Sequence, residues 1–257
     1  MYKDLIVERI DEVVIIRLNR PGELNALSIE MREELKLAFA DVGSDNSVGA
    51  VVLCGAGKSF CAGGNINSMG GAKPNDGRKR LKIAHDVLRQ IITLNKPVVC
   101  AVQGHAVGGG LGLALACDII VAGEDAKFCA SFTKIGLVPD WGTFYTLPRL
   151  VGMAKAMEMI LLAPTIDAHS ALNQGLITRV VSNDILMEEA VRIATELANG
   201  PRIALGLCKT MRRSFEMSFE QALEYEALAQ DLCMQTPDHL EGIQAFKERR
   251  KPIFNLK

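Results

Sequence analysis

Residues 97–123 read PVVCAVQGHAVGGGLGLALACDIIVAG. From Pro97 to Cys117 there are 21 residues without a formal charge, long enough to raise the question of a membrane span. Gln103, His105 and five glycines interrupt the run, and Gln103-Gly104 divides it into a strand-like half and a helix-like half. A buried strand, a glycine turn and a helix explain it better than a span. Asp118 then leads into a second apolar strand, IIVAG. Strand, helix and strand in this order is the unit of an α/β fold with largely parallel pairing.

The same grammar extends in both directions. LIVERI and EVVIIRL are two β-runs meeting at Asp11, followed by the polar loop NRPGELNAL. Ser28 is placed to N-cap a helix with Met31, Leu35, Ala38 and Phe39 on its apolar face and Glu30 and Arg32 on the other. Residues 48–54 form an all-apolar strand that ends in the glycine-rich loop GAGKSFCAGGNI; residues 66–76 read as a mobile loop, and a helix is expected over 78–94. From Gly142 onward nearly everything reads helical, over 143–149, 153–162, 167–173, 184–198, 202–214, 218–235 and 237–247. The chain is therefore expected to be an α/β core over 1–199 with a helical cap or oligomerisation region over 200–257.

Bulk composition narrows the function classes. The 257 residues are 49% hydrophobic with a net charge of -1 and no long basic block, which speaks against a nucleic-acid partner. Seven cysteines lie scattered, mostly in apolar runs and with no CxxC pair, a pattern of reduced thiols in a cytoplasmic protein. The N-terminus carries acids early and has no apolar core of a secretory signal.

Several motifs fail on inspection. GKS at 57–59 lacks the P-loop glycine, because position 52 is valine. GGGLG at 108–112 fits no dinucleotide-binding register, no serine sits in a G-x-S-x-G elbow, and the four histidines lack metal-ligand spacing. Two glycine turns remain, FCAGGNI at 60–66 and GHAVGGGLG at 104–112, each ending a buried strand. Glycines there permit tight turns and close packing. They also leave backbone N–H groups at loop and helix starts that can converge on an anion. Gly64 and Gly109 together would make a two-donor oxyanion hole.

These stretches carry a resemblance over essentially the whole chain. NRPGELNAL (19–27), SFCAGGNI (59–66), residues 96–123, KIGLVPDWGTFYTLPRLVG (134–152), the run from Ala171 to Val181 and EGIQAFKERRKPIF (241–254) together resemble the crotonase superfamily, the enoyl-CoA hydratase/isomerase family. The resemblance implies a spiral of ββα units, a helical trimerisation region, and trimers or dimers of trimers. It implies acyl-CoA thioester substrates, with coenzyme A as the carrier and no prosthetic group or metal. The thioester oxygen would sit between the N–H groups of Gly64 and Gly109. Coenzyme A would run along Asn25, Ala26, Leu27, Ala62, Gly64 and Ile66, and meet Phe246 and Arg249, often from a neighbouring subunit.

The chain departs from the family's hydratases at two positions. Their two glutamates fall here on Gly112 and Phe132, and neither side chain can position water or protonate carbon. Asp140, within SFTKIGLVPDWGTF (131–144), matches the place where isomerase-type members, and the 4-chlorobenzoyl-CoA dehalogenase, carry a working aspartate. The resemblance therefore favours an enoyl-CoA isomerase with Asp140 as proton shuttle, its pKa raised by Phe132, Val138 and Trp141. Readings left open are a hydrolase or dehalogenase using Asp140 as nucleophile or base, a hydratase, and a non-catalytic CoA-binding member. Asp140 is also suited to N-cap the helix after Gly142. His85 is read as lining the acyl pocket with Phe132, Trp141 and Ile66. The dehalogenase resembles this chain in having that histidine, but has a tryptophan donor where Phe132 stands.

Overall fold

The first two strands, β1 (Leu5–Ile10) and β2 (Val13–Leu18), form a hairpin whose register runs from Leu5 opposite Leu18 to Ile10 opposite Val13. The computed structural model describes residues 2–66 and 76–255, leaving aside the side chains of 213–215. Residues 67–75, most of the loop read as mobile, lie outside the described residues. From β2 the sheet grows by parallel pairing through β3 (Ala50–Gly55), β4 (Val98–Val102), β6 (Ile119–Gly123) and β9 (Arg179–Val181). The inner strands are covered on both faces, which is why β3 and β4 are apolar at every position rather than alternating.

One apolar core fills the face that carries α1 (Ile29–Ser44), α2 (Asp76–Thr93) and α3 (Gly109–Leu115); a smaller one lies under α7 (Leu186–Ala198). Ser28 caps α1 as expected, its hydroxyl accepting from the Met31 amide at 3.0 Å. The polar side read for that helix needs one correction: Arg32 is 2% exposed, inside the fold rather than beside Glu30 on the outer face.

A second sheet was not anticipated. It joins β5 (His105–Val107), β7 (Lys127–Cys129) and β8 (Ile166–Asp167), and it braces the turn between β4 and α3. Beyond it come α4 (Thr143–Val151), α5 (Met153–Leu161) and α6 (Ala168–Asn173). After α7 the chain is helical: α8 (Arg202–Cys208), a 3-10 segment Lys209–Glu216, α9 (Phe219–Met234) and α10 (Pro237–Glu248). Among the described residues no helix is long and apolar enough to cross a membrane. All seven cysteines are free thiols, five of them buried.

Candidate active site

The two glycine turns are stitched side by side by backbone hydrogen bonds. Phe60 and Cys61 donate to Gln103 O at 2.7 Å and His105 O at 2.8 Å, and Val107 donates back to Cys61 O at 3.0 Å. A third segment locks on: Ala62 donates to Leu24 O at 2.9 Å and Leu27 donates to Gly63 O at 2.7 Å, in a parallel bridge of Leu27 with Gly64. Because that bridge uses the Gly63 carbonyl, the Gly64 N–H faces away from it and has no partner among the described residues. Gly109 opens α3, so its N–H has no intrahelical acceptor either. Gly108 before it has φ +53, a conformation natural to glycine. A Cβ on Gly63 would lie 3.4 Å from the Gly109 amide nitrogen, so the turns are in contact and both free donors belong to one small region.

Beneath this region lies Trp141, 1% exposed and held at φ +48. A Cβ on Gly109 would meet its Cδ1 at 2.7 Å and Leu27 Cδ1 at 3.3 Å, so only glycine fits at the head of α3. Phe132 is buried, in the 3-10 turn Ser131–Ile135, with its ring edge 3.9 Å from a Cβ built on Gly108. Position 112 is closed as well: a Cβ there would lie 2.4 Å from Trp141 O and 2.7 Å from Thr143 Oγ1. The Thr143 hydroxyl is buried and has no hydrogen-bond partner among the described residues.

Asp140 precedes Trp141 and is half-buried. It does not cap α4, whose N-cap is Gly142 in the left-handed conformation; only the Asp140 carbonyl takes part, accepting from Thr143 N at 3.0 Å. Burial raises its carboxyl pKa, while Arg32, Arg80 and His85 nearby pull it back down. The wall that buries it differs from expectation, since Val138 is 74% exposed and only Phe132 and Trp141 are inside.

His85 stands on the exposed side of α2, close enough to act on Asp140 electrostatically. It lines a cavity of about 780 Å³ with Leu88, Ile92, Tyr145 and Arg212. Asn25, buried with φ +56, is a brace: its amide donates to Ala56 O at 2.9 Å and Ser59 O at 2.8 Å, and its Oδ1 accepts from Arg20 N at 2.8 Å. Ala26, Leu27, Ala62 and Gly64 lie on the stitched backbone, and Ile66 is 66% exposed at its end. Phe246 on α10 and Arg249 at its C-cap stand apart. Phe246 is 85% exposed and lines a cavity of about 430 Å³ formed by residues of 201–254, none of them from the glycine turns.

A family profile described as enoyl-CoA hydratase/isomerase matches residues 8–257. The chain belongs to this family, the crotonase superfamily. It is 37% identical over 250 residues to the 1,2-epoxyphenylacetyl-CoA isomerase of Escherichia coli strain K12, covering 95% of each chain. It is 36% identical to the short-chain-enoyl-CoA hydratase of Clostridium acetobutylicum, covering 96% of each. The crystal structure of an enoyl-CoA hydratase from Bacillus anthracis superposes with a TM-score of 0.93 at 33% identity, over 98% of this chain and 99% of that one. The chain is an enzyme of the enoyl-CoA hydratase/isomerase family, with a crotonase fold and C-terminal helices.

Arg32 is the functional candidate that sequence reasoning missed. Its guanidinium lies over Trp141, 5.5 Å from the ring centroid, and Nη2 donates to Leu27 O at 3.0 Å. The signal was present: at 3.6 residues per turn Arg32 projects only about 20° from Phe39 around the helix, on the edge of the apolar stripe.

Proposed function

We propose that this family member is an enoyl-CoA isomerase, moving a double bond or opening a related ring through a thioester enolate. The observation that carries the reading is the pairing of a half-buried carboxylate, Asp140, with a position 112 that has no room for a second acid. The thioester carbonyl accepts hydrogen bonds from the Gly64 and Gly109 amides, each worth about 3 kcal/mol as negative charge builds on oxygen. Asp140 takes a proton from the α-carbon of a β,γ-enoyl thioester. The C–H electron pair enters a dienolate whose charge rests on the held oxygen. Asp140 then returns the proton to the γ-carbon, and the double bond ends conjugated to the carbonyl. Its raised pKa brings the carboxyl closer to that of the proton it handles. Trp141 and Phe132 exclude water from the reacting carbons, and His85 acts on Asp140 through space.

Coenzyme A is assigned to the backbone of residues 25–27, 62, 64 and 66, with Phe246 and Arg249 reaching it from a neighbouring subunit. The assembly is a trimer or dimer of trimers built through 200–257, with 1–199 as the catalytic core, and the enzyme is cytoplasmic. A panel of CoA thioesters incubated with the wild type and Asp140→Asn, read by mass spectrometry and by α-proton exchange in deuterated water, tests the mechanism. Asp140→Asn is expected to lose turnover and exchange by about a hundredfold or more. Exchange at the wild-type rate removes Asp140 from the mechanism, and oxygen from water in the product reassigns the enzyme to hydrolysis or hydration.

A further inference from the structure

Arg32 is 2% exposed, and its Nε has no hydrogen-bond partner among the described residues. Nη2 donates to Leu27 O at 3.0 Å, and Nη1 reaches only Arg80 O, at 3.5 Å. No described carboxylate forms an ion pair with it; Asp140 acts on it through space without touching it. A guanidinium with unused hydrogen-bonding capacity and no contacting counter-ion is costly to bury. Burial first, and Arg80 second, push its pKa down to about 10, which still leaves it charged at neutral pH. The position lies on the edge of an apolar stripe, where leucine or methionine would pack without that cost.

Its location gives the cost a use. Leu27, whose carbonyl Arg32 holds, reaches to within 3.3 Å of a Cβ on Gly109, and Trp141, over which Arg32 lies, reaches to within 2.7 Å of the same point. Arg32 is thus one side chain removed from the oxyanion turn, and near enough to Asp140 for the two charges to act on each other. We propose that the acyl group of the substrate carries a second oxygen function beyond the thioester carbonyl, a carboxylate or a hydroxyl, which accepts a hydrogen bond from Arg32. This rests on the reading that the glycine turns hold a CoA thioester. It makes Arg32 a specificity-determining residue, and unsubstituted alkyl thioesters the poorer ligands.

Calorimetric binding of free coenzyme A, butyryl-CoA, 3-hydroxybutyryl-CoA and succinyl-CoA to wild type, Arg32→Met and Arg32→Lys tests it. None of these ligands has a double bond to move, so the result is independent of the proton-shuttle role of Asp140. The wild type is expected to bind at least one oxygen-bearing thioester about tenfold or more tighter than butyryl-CoA, as a charge-assisted hydrogen bond requires. The better of the two identifies the oxygen as carboxylate or hydroxyl. In Arg32→Met the affinity ratio of the oxygen-bearing thioester to butyryl-CoA should fall toward unity, and Arg32→Lys should keep part of the preference. Equal affinities across the four-carbon ligands in the wild type, or a preference that survives Arg32→Met, would overturn the proposal. If Arg32→Met does not fold, the wild-type comparison and Arg32→Lys decide. Failure of every thioester to bind instead refutes the site itself, and the proposal with it.

Discussion

At Asp140 two tendencies compete, burial that favours the neutral acid and cations that favour the carboxylate, and burial wins. A carboxyl whose folded pKa lies above its unfolded value contributes stability at low pH and loses it as pH rises through the folded pKa. Above that point Asp140→Asn is therefore expected to melt at a higher temperature than the wild type, with the gap closing as pH falls through the raised pKa. Thermal melts of both proteins from about pH 4 to 8 check this; a gap independent of pH would contradict it. The acid limb of kcat/KM should have its midpoint above the ordinary carboxylate value, and Arg32→Met should move it higher still by removing a cation. Gly112→Glu, the substitution that would mimic a hydratase, places a Cβ 2.4 Å from a backbone oxygen. It is expected to cost about 3 kcal/mol, the upper end for overpacking, and to confer no hydration of crotonyl-CoA. Asp140, Gly64 and Gly109 stood out as candidates because glycine and an isolated carboxylate are conspicuous in an apolar run. Arg32 did not, because a charged residue next to a polar neighbour reads as surface unless its angle around the helix is worked out. Val138 was misread for the opposite reason, since hydrophobicity alone does not say which way a loop residue points.

The long strands and helices followed from period and length, whereas β5, β7, β8 and β9 span two or three residues each and have no period to read. They exist because neighbouring strands supply their hydrogen bonds, parallel where β6 meets β9 and antiparallel where β7 meets β8. The C-terminal helices are tied to the core in a way composition did not announce. Arg212 donates to Leu115, Ala116 and Cys117 carbonyls at 2.6 to 2.8 Å, closing the C-terminus of the helix that begins with Gly109. Lys209, its pKa lowered by burial, meets Asp118 at 2.7 Å and also donates to Lys96 O at 2.8 Å. Asp118 in turn accepts from Val98 N at 2.8 Å, so one buried cluster joins β4, α3 and the 3-10 segment. Lys209→Met is expected to destabilise the fold by about 2 kcal/mol, less than the full loss of a buried pair because Arg212 stays 3.5 Å from Asp118. Urea unfolding of Lys209→Met, Asp118→Asn and the double variant would measure the coupling, and additivity would show that the pair is not linked.

At the scale of the whole molecule, the glycine turns and Asp140 belong to one part of the chain, and Phe246 and Arg249 to another. Phe246 and Arg249 are exposed, as are the large apolar side chains of Phe144, Met153, Leu162, Met211 and Phe219. Assembly into trimers accounts for both facts if α10 of one subunit completes the coenzyme A site of the next. Light scattering should then give three or six times the chain mass of 27.9 kDa. A stronger consequence is complementation between two crippled variants. Asp140→Asn keeps its own α10, and Arg249→Ala keeps its own Asp140, so each homo-oligomer is impaired at every site. Refolding the two as a one-to-one mixture puts some intact Asp140 sites beside an intact Arg249, about a quarter of all sites in a ring with random mixing. Activity of the mixture should rise toward about a quarter of the wild type, while mixing the folded homo-oligomers without exchange should give no rise. Absence of recovery after verified subunit exchange would place the coenzyme A contacts of Arg249 within its own chain, or nowhere.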